Sequence, residues 1–184
     1  AIGGGMGHDS HGGPGEVHIT GGNVYAYNFA NRWGISSSAV GGGGSVKATG
    51  SSGNVTISGG YVYAYSALGT AIGGGSSLSI NGGSTNLKIS GGYIIAKSAT
   101  SVCIGGGTGG TKMISEGVWA SGGSATITIS GNPIIRTGSI GGGKTNNPNG
   151  RIGHATINIT GGDISAQFVM AGGADVNKKS SFKM

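Results

Sequence analysis

Short apolar stretches along the chain alternate residue by residue with polar positions and are cut by pairs and triplets of glycine. One stretch, apolar-x-Ile-Ser/Thr-Gly, begins at Val17, Val55, Leu87, Ile127 and Ile157. Its skipped positions, His18, Thr56, Lys88, Thr128 and Asn158, are polar. A period of two with β-branched residues predicts half-buried strands, and no window carries helical spacing. A second stretch follows each of these after a glycine corner: Asn23-Val24-Tyr25-Ala26, Tyr61-Val62-Tyr63-Ala64, Tyr93-Ile94-Ile95-Ala96, Pro133-Ile134-Ile135-Arg136 and Asp163-Ile164-Ser165-Ala166. A third, Ile/Val-Gly-Gly-Gly, begins at Ile2, Val40, Ile72, Ile104 and Ile140.

Five copies in one order define a repeat protein whose units bury their apolar side only by stacking. The expected fold is all-β: a parallel β-solenoid of five to six coils with three short strands per coil. The usual hand of parallel crossovers favours a right-handed β-helix. Val24, Val62, Ile94, Ile134 and Ile164 are expected to form one inward column. Residues 168–173 read as a degenerate sixth Gly-Gly-Gly copy, so residues 1–173 form the solenoid domain and 174–184 a polar basic tail or cap. The chain opens almost inside a repeat, which suggests a segment of a larger protein or a subunit that stacks end to end. The glycine triplets read either as tight corners or as a smooth strip where another chain docks.

Composition narrows the functional classes. Glycine supplies 45 of 184 residues, clustered rather than at every third position, which excludes collagen. No apolar run reaches the roughly 20 residues of a membrane helix, so membrane insertion is not expected. Net charge is +6, but the bases are scattered, without the alternating aromatics of a nucleic-acid binder. Weak attraction to anionic polysaccharide is the fair inference. Five carboxylates, Asp9, Glu16, Glu116, Asp163 and Asp175, do not pair on strands, which disfavours a lyase or hydrolase and leaves no catalytic residue to name. The run His8-Asp9-Ser10-His11 reads as a solvated loop, not a triad or metal site. Cys103 fits a small-residue slot shared with Ala39, Ala71 and Ser139. No cofactor is indicated.

The informative side chains are aromatic. Tyr25, Tyr27, Tyr61, Tyr63, Tyr65 and Tyr93 all fall at outward positions of the second stretch, so rungs about 4.8 Å apart would gather them on one patch. Such a patch serves as a stacking ladder between strands, as a platform for sugar rings, or as a contact for another chain. Trp33 and Trp119 lie in the two longest inserts and join the candidate ligand-binding set.

The combination of Ile72-Gly-Gly-Gly, Val55-Thr-Ile-Ser-Gly-Gly and Val-Tyr-Ala strands resembles the glycine-rich repeats of large bacterial cell-surface and secreted proteins. Those repeats resemble pectate-lyase-type right-handed β-helices, some of which bind carbohydrate without lyase activity. The resemblance covers roughly residues 1–173. It implies an extracellular or cell-surface location and a non-catalytic adhesive module whose partner is a polysaccharide or surface glycan. The alternative is a structural subunit that self-associates into an extracellular fibre through the tyrosine face and the glycine strip. Asn132-Pro133 departs from the corner pattern, and Arg136 stands where the pattern has alanine.

Overall fold

A computed structural model describes residues 1–29 and 37–170, together with the backbone of 181–183. Among these residues every regular element is a strand, and no helix is long and apolar enough to cross a membrane. The strands pair almost entirely in parallel, each with its counterpart in the next repeat.

The first ladder joins Gly15–Ile19, Gly53–Ile57, Thr85–Ile89, Ala125–Ile129 and Ala155–Ile159, with Val17, Val55, Leu87, Ile127 and Ile157 in register. Ser181–Lys183 adds a sixth strand beside Ala155–Ile159. The second ladder joins Asn23–Asn28, Tyr61–Ser66, Tyr93–Ser98 and the first half of Ile134–Gly141, and ends at Asp163–Met170. The third consists of two-residue strands that align Ile2, Val40, Ile72, Ile104 and Ile140. Val169 continues this column and Phe168 stands beside Ser139; residues 171–173 of the expected sixth copy lie outside the described residues. Because Ile134–Gly141 runs without a break from one motif into the next, it fuses the second and third ladders into one nine-stranded sheet.

The inward residues of all three ladders form one contiguous buried cluster that includes Ile57, Ile72, Leu87, Ile94, Ile104, Ile127, Ile140 and Ile157. Alternating burial along each strand follows from pleating, which sends successive side chains to opposite faces.

The fourth repeat corrects the expected register. Ile134, not Pro133, stands between Tyr93 and Asp163, and Ile135, not Ile134, joins the inward column. Arg136 accordingly faces outward beside Ile95, and Thr137 takes the alanine position. The cause is one extra corner residue. In the first three repeats one residue of each Gly-Gly pair (Gly22, Gly60 and Gly92) carries positive φ and is followed at once by the strand. In the fourth, Gly131 carries it, and Asn132 and Pro133 intervene before Ile134. With a side-chain period of two, a one-residue slip turns every side chain to the other face.

The glycine triplets also differ from one expectation. Only the first, Gly3 to Gly5, reaches the surface; Gly41 to Gly43, Gly73 to Gly75, Gly105 to Gly107 and Gly141 to Gly143 are all buried, so no continuous surface strip forms. The third glycine of each triplet meets the residue two places before the next strand of the first ladder. Backbone hydrogen bonds of 2.7–2.9 Å pass from Gly13 N–H to Gly5, Gly43 to Gly13, Ser51 to Gly43, Gly75 to Ser51 and Gly83 to Gly75. The series continues from Gly107 to Gly83, Gly123 to Gly107, Gly143 to Gly123 and Gly153 to Gly143. A zigzag seam of main chain thus runs through the interior with no side chain between its two edges.

A Cβ added at Gly107 would fall on the Gly75 carbonyl oxygen, and one at Gly75 on that of Gly43, far inside van der Waals contact. Backbone cannot retreat as a flexible side chain can, so Gly107→Ala is expected to cost at least about 3 kcal/mol, at the upper end of overpacking. Gly21, with open space around its Cβ position, should accept alanine within about 0.5 kcal/mol. Chemical denaturation of the two variants beside the parent checks the contrast.

Candidate functional site

On the second ladder, Val62, Ala64, Ile94 and Ala96 are fully buried, so the intervening residues of the same strands point to solvent. The tyrosines occupy these outward positions. Tyr61 and Tyr93 share a row with Asn23, Tyr25 is level with Tyr63, and Tyr27 with Tyr65. Tyr25 is 60% exposed, Tyr27 47% and Tyr93 39%, while Tyr61, Tyr63 and Tyr65 are half-buried beneath their neighbours.

Ring contacts run both diagonally between rows (Tyr25 with Tyr61, Tyr27 with Tyr63) and along one row (Tyr61 with Tyr93). Centroids lie 5.6 Å apart for Tyr25 and Tyr61, 5.5 Å for Tyr27 and Tyr63, and 5.7 Å for Tyr61 and Tyr93, the last pair stacked with ring planes nearly parallel at 9°. These spacings fall in the range of favourable aromatic pairs. Phe29, just past the end of its strand, extends the field by packing on Tyr27 and Tyr65. It is 67% exposed and keeps the outward parity of Tyr25 and Tyr27, but it lies beyond the recurring stretch Asn23–Ala26 by which the repeats align. All six tyrosines therefore share one wall with Phe29.

The Tyr61 pKa is raised above the ordinary tyrosine value, first by partial removal from water and then by repulsion from the phenolates of Tyr25 and Tyr93. Its hydroxyl stays protonated at neutral pH and can both donate and accept hydrogen bonds.

From the third repeat onward the wall changes character. Lys97 follows Tyr65 in its row, and its Nζ lies 5.9 Å from the Tyr63 ring centroid, within cation–π range. Ile95, Lys97, Arg136, Ser165 and Gln167 then line a shallow groove of about 380 Å³. Its edge carries a fork-shaped ion pair: Arg136 Nη1 and Nη2 donate to Asp163 Oδ1 and Oδ2 at 3.1 and 2.7 Å. The hydrogen bond from Arg136 holds the Asp163 carboxyl below the ordinary aspartate pKa.

The other candidates separate from this wall. Trp33 lies outside the described residues. Trp119 sits in an antiparallel hairpin of Met113–Ser115 and Val118–Trp119, and lines a different cleft. At the histidine loop, Asp9 accepts from Lys47 at 2.6 Å and lies 3.1 Å from His8 Nδ1, all at the surface. Among the described residues no three His, Cys, Asp or Glu side chains gather to hold a metal. Cys103 is buried, and its backbone N–H donates to Ser139 Oγ in the small-residue column.

Comparison with known proteins returns no match: no protein-family model, curated protein sequence or solved structure is significantly similar to the chain.

The Arg136–Asp163 pair gives a pH-dependent expectation. A depressed carboxyl pKa stabilises the fold above the unfolded-state value, and that contribution is lost as pH falls through the folded-state value. Arg136→Gln should move the Asp163 midpoint upward, into the ordinary aspartate range, in a carboxyl-carbon NMR titration. An unmoved midpoint would contradict the pairing.

Proposed function

We propose that the chain is a right-handed parallel β-solenoid that serves as a non-catalytic carbohydrate-binding module of an extracellular or bacterial-surface protein. Sugar is held on the tyrosine wall. The solenoid reading draws on three parallel ladders that link successive repeats position by position around one apolar core. The surface location draws on the resemblance to glycine-rich repeats of bacterial surface proteins.

The observation that carries the binding reading is the exposed aromatic field of Tyr25, Tyr27, Phe29 and Tyr93 over the half-buried Tyr61, Tyr63 and Tyr65. Sugars present apolar C–H faces bounded by hydroxyls, and phenols match both with a broad ring and a polar edge. Side chains braced against one another lose little freedom on binding, which lowers the cost of association. The adjoining groove, with Lys97, Ser165 and Gln167, offers donors to hydroxyl or carboxylate groups further along the chain. Recognition of this kind is static and needs no moving part.

The ring contacts also favour a second reading, in which the tyrosines serve only to brace neighbouring strands. Tyr25→Ala with Tyr27→Ala separates the two. If the wall binds sugar, pull-down on insoluble polysaccharides such as cellulose, chitin and peptidoglycan falls about tenfold or more, since two platforms are lost. If it only braces, the pull-down is unchanged while the thermal midpoint drops.

A further inference from the structure

Each of the six tyrosines stands beside another tyrosine one rung away: Tyr25 beside Tyr63, Tyr27 beside Tyr65, and Tyr61 beside Tyr93. Backbone pairing holds such in-register residues about 4.8 Å apart. The first two pairs are joined diagonally, through Tyr25 with Tyr61 and Tyr27 with Tyr63. Tyr61 and Tyr93 are both in register and stacked on each other, with centroids 5.7 Å apart and planes at 9°.

This placement fits a reaction of phenols beyond hydrogen bonding. Two phenoxyl radicals couple through the ring carbons ortho to oxygen and form a biaryl. The two rings must meet edge to edge, at a separation close to that of neighbouring rungs. From the stacked arrangement, a turn of each ring about its Cβ–Cγ bond brings the ortho edges together while the backbone stays in place. That torsion is soft in tyrosine, and side chains at a surface turn within nanoseconds.

Access comes from the neighbours. Tyr93 and Tyr25 are exposed and meet an oxidant from solvent, while Tyr61 lies half-buried between them, its centroid 5.6 Å from that of Tyr25. Phe29, which packs on Tyr27 and Tyr65, has no hydroxyl and forms no phenoxyl radical.

We propose that Tyr61 and Tyr93 are an oxidative modification site, at which hydrogen peroxide acting through a peroxidase links the second and third repeats by a dityrosine bond. Each phenol gives up one electron and its hydroxyl proton. The two ortho carbons then bond, and each ring moves its displaced ortho hydrogen to oxygen, which restores both hydroxyls. The two electrons and two protons released reduce one hydrogen peroxide to two molecules of water. A radical formed on Tyr25 reaches Tyr61 across their ring contact, as Tyr25 regains an electron and a proton that Tyr61 surrenders. The bond closes a loop of chain between the two repeats, so it constrains the unfolded state as a disulfide does. It does not depend on sugar binding at the wall.

The test treats the whole chain with a haem peroxidase and limiting hydrogen peroxide. The expected product is a monomer lighter by two hydrogens, with the blue fluorescence of dityrosine. Proteolysis should yield one linked peptide pair that contains Tyr61 and Tyr93. The rate should not vary with protein concentration, because both partners belong to one chain. Tyr61→Phe and Tyr93→Phe keep the stacked rings, so the fold persists, and each should lose this linked pair completely. No intrachain bond in the parent, coupling whose rate rises with protein concentration, or a mapped bond between other tyrosines in place of this pair would each overturn the proposal. So would a Tyr61→Phe variant that keeps the parent's yield of intrachain dityrosine. Polysaccharide pull-down on protein never exposed to peroxide tests the sugar reading separately.

Discussion

The structure depends on backbone meeting backbone where most proteins place side chains. Along the interior seam, the glycine triplets and the residues at 13, 51, 83, 123 and 153 alternate as donors and acceptors. Four of those five partner residues are glycine, and the third triplet residue is glycine in every repeat. Close approach leaves no room for a Cβ at Gly75, Gly83, Gly107, Gly123 or Gly143. Glycine is entropically costly to order, so its use at each rung implies that the contact offsets that cost. Every buried N–H must find a partner, and here the opposite edge of the seam provides it.

This arrangement divides the interior in two. On one side, isoleucine, valine and leucine columns fill the space between ladders. On the other, the seam draws the walls together without filler. Register follows from the seam, because each hydrogen bond fixes one rung against the next. A fixed register is what brings tyrosines from separate repeats within ring contact. The tyrosine wall is therefore a consequence of the interior.

Much of this was legible in the sequence, for a physical reason. A strand period of two leaves an unambiguous trace when five copies repeat it, and identical motifs pair in parallel at matching positions. The Val17 and Ile72 columns and the outward direction of Tyr25, Tyr27, Tyr61, Tyr63, Tyr65 and Tyr93 were readable on that basis. The fourth repeat was not, because Asn132-Pro133 lengthens its corner by one residue, and a motif search matches residue types without counting the turn. That slip hid the outward Arg136 and its pairing with Asp163. The seam was obscured because its two edges lie in different motifs, and because Ser51 interrupts the glycine pattern.

Amide hydrogen exchange measures the seam directly, residue by residue. The seam account predicts that the N–H groups of Gly75, Gly83, Gly107 and Gly123 exchange only through global unfolding, as slowly as those of Ile72 and Ile104. Exchange at these glycines as fast as at the exposed corner residue Gly21, while the flanking strands remain protected, would contradict it.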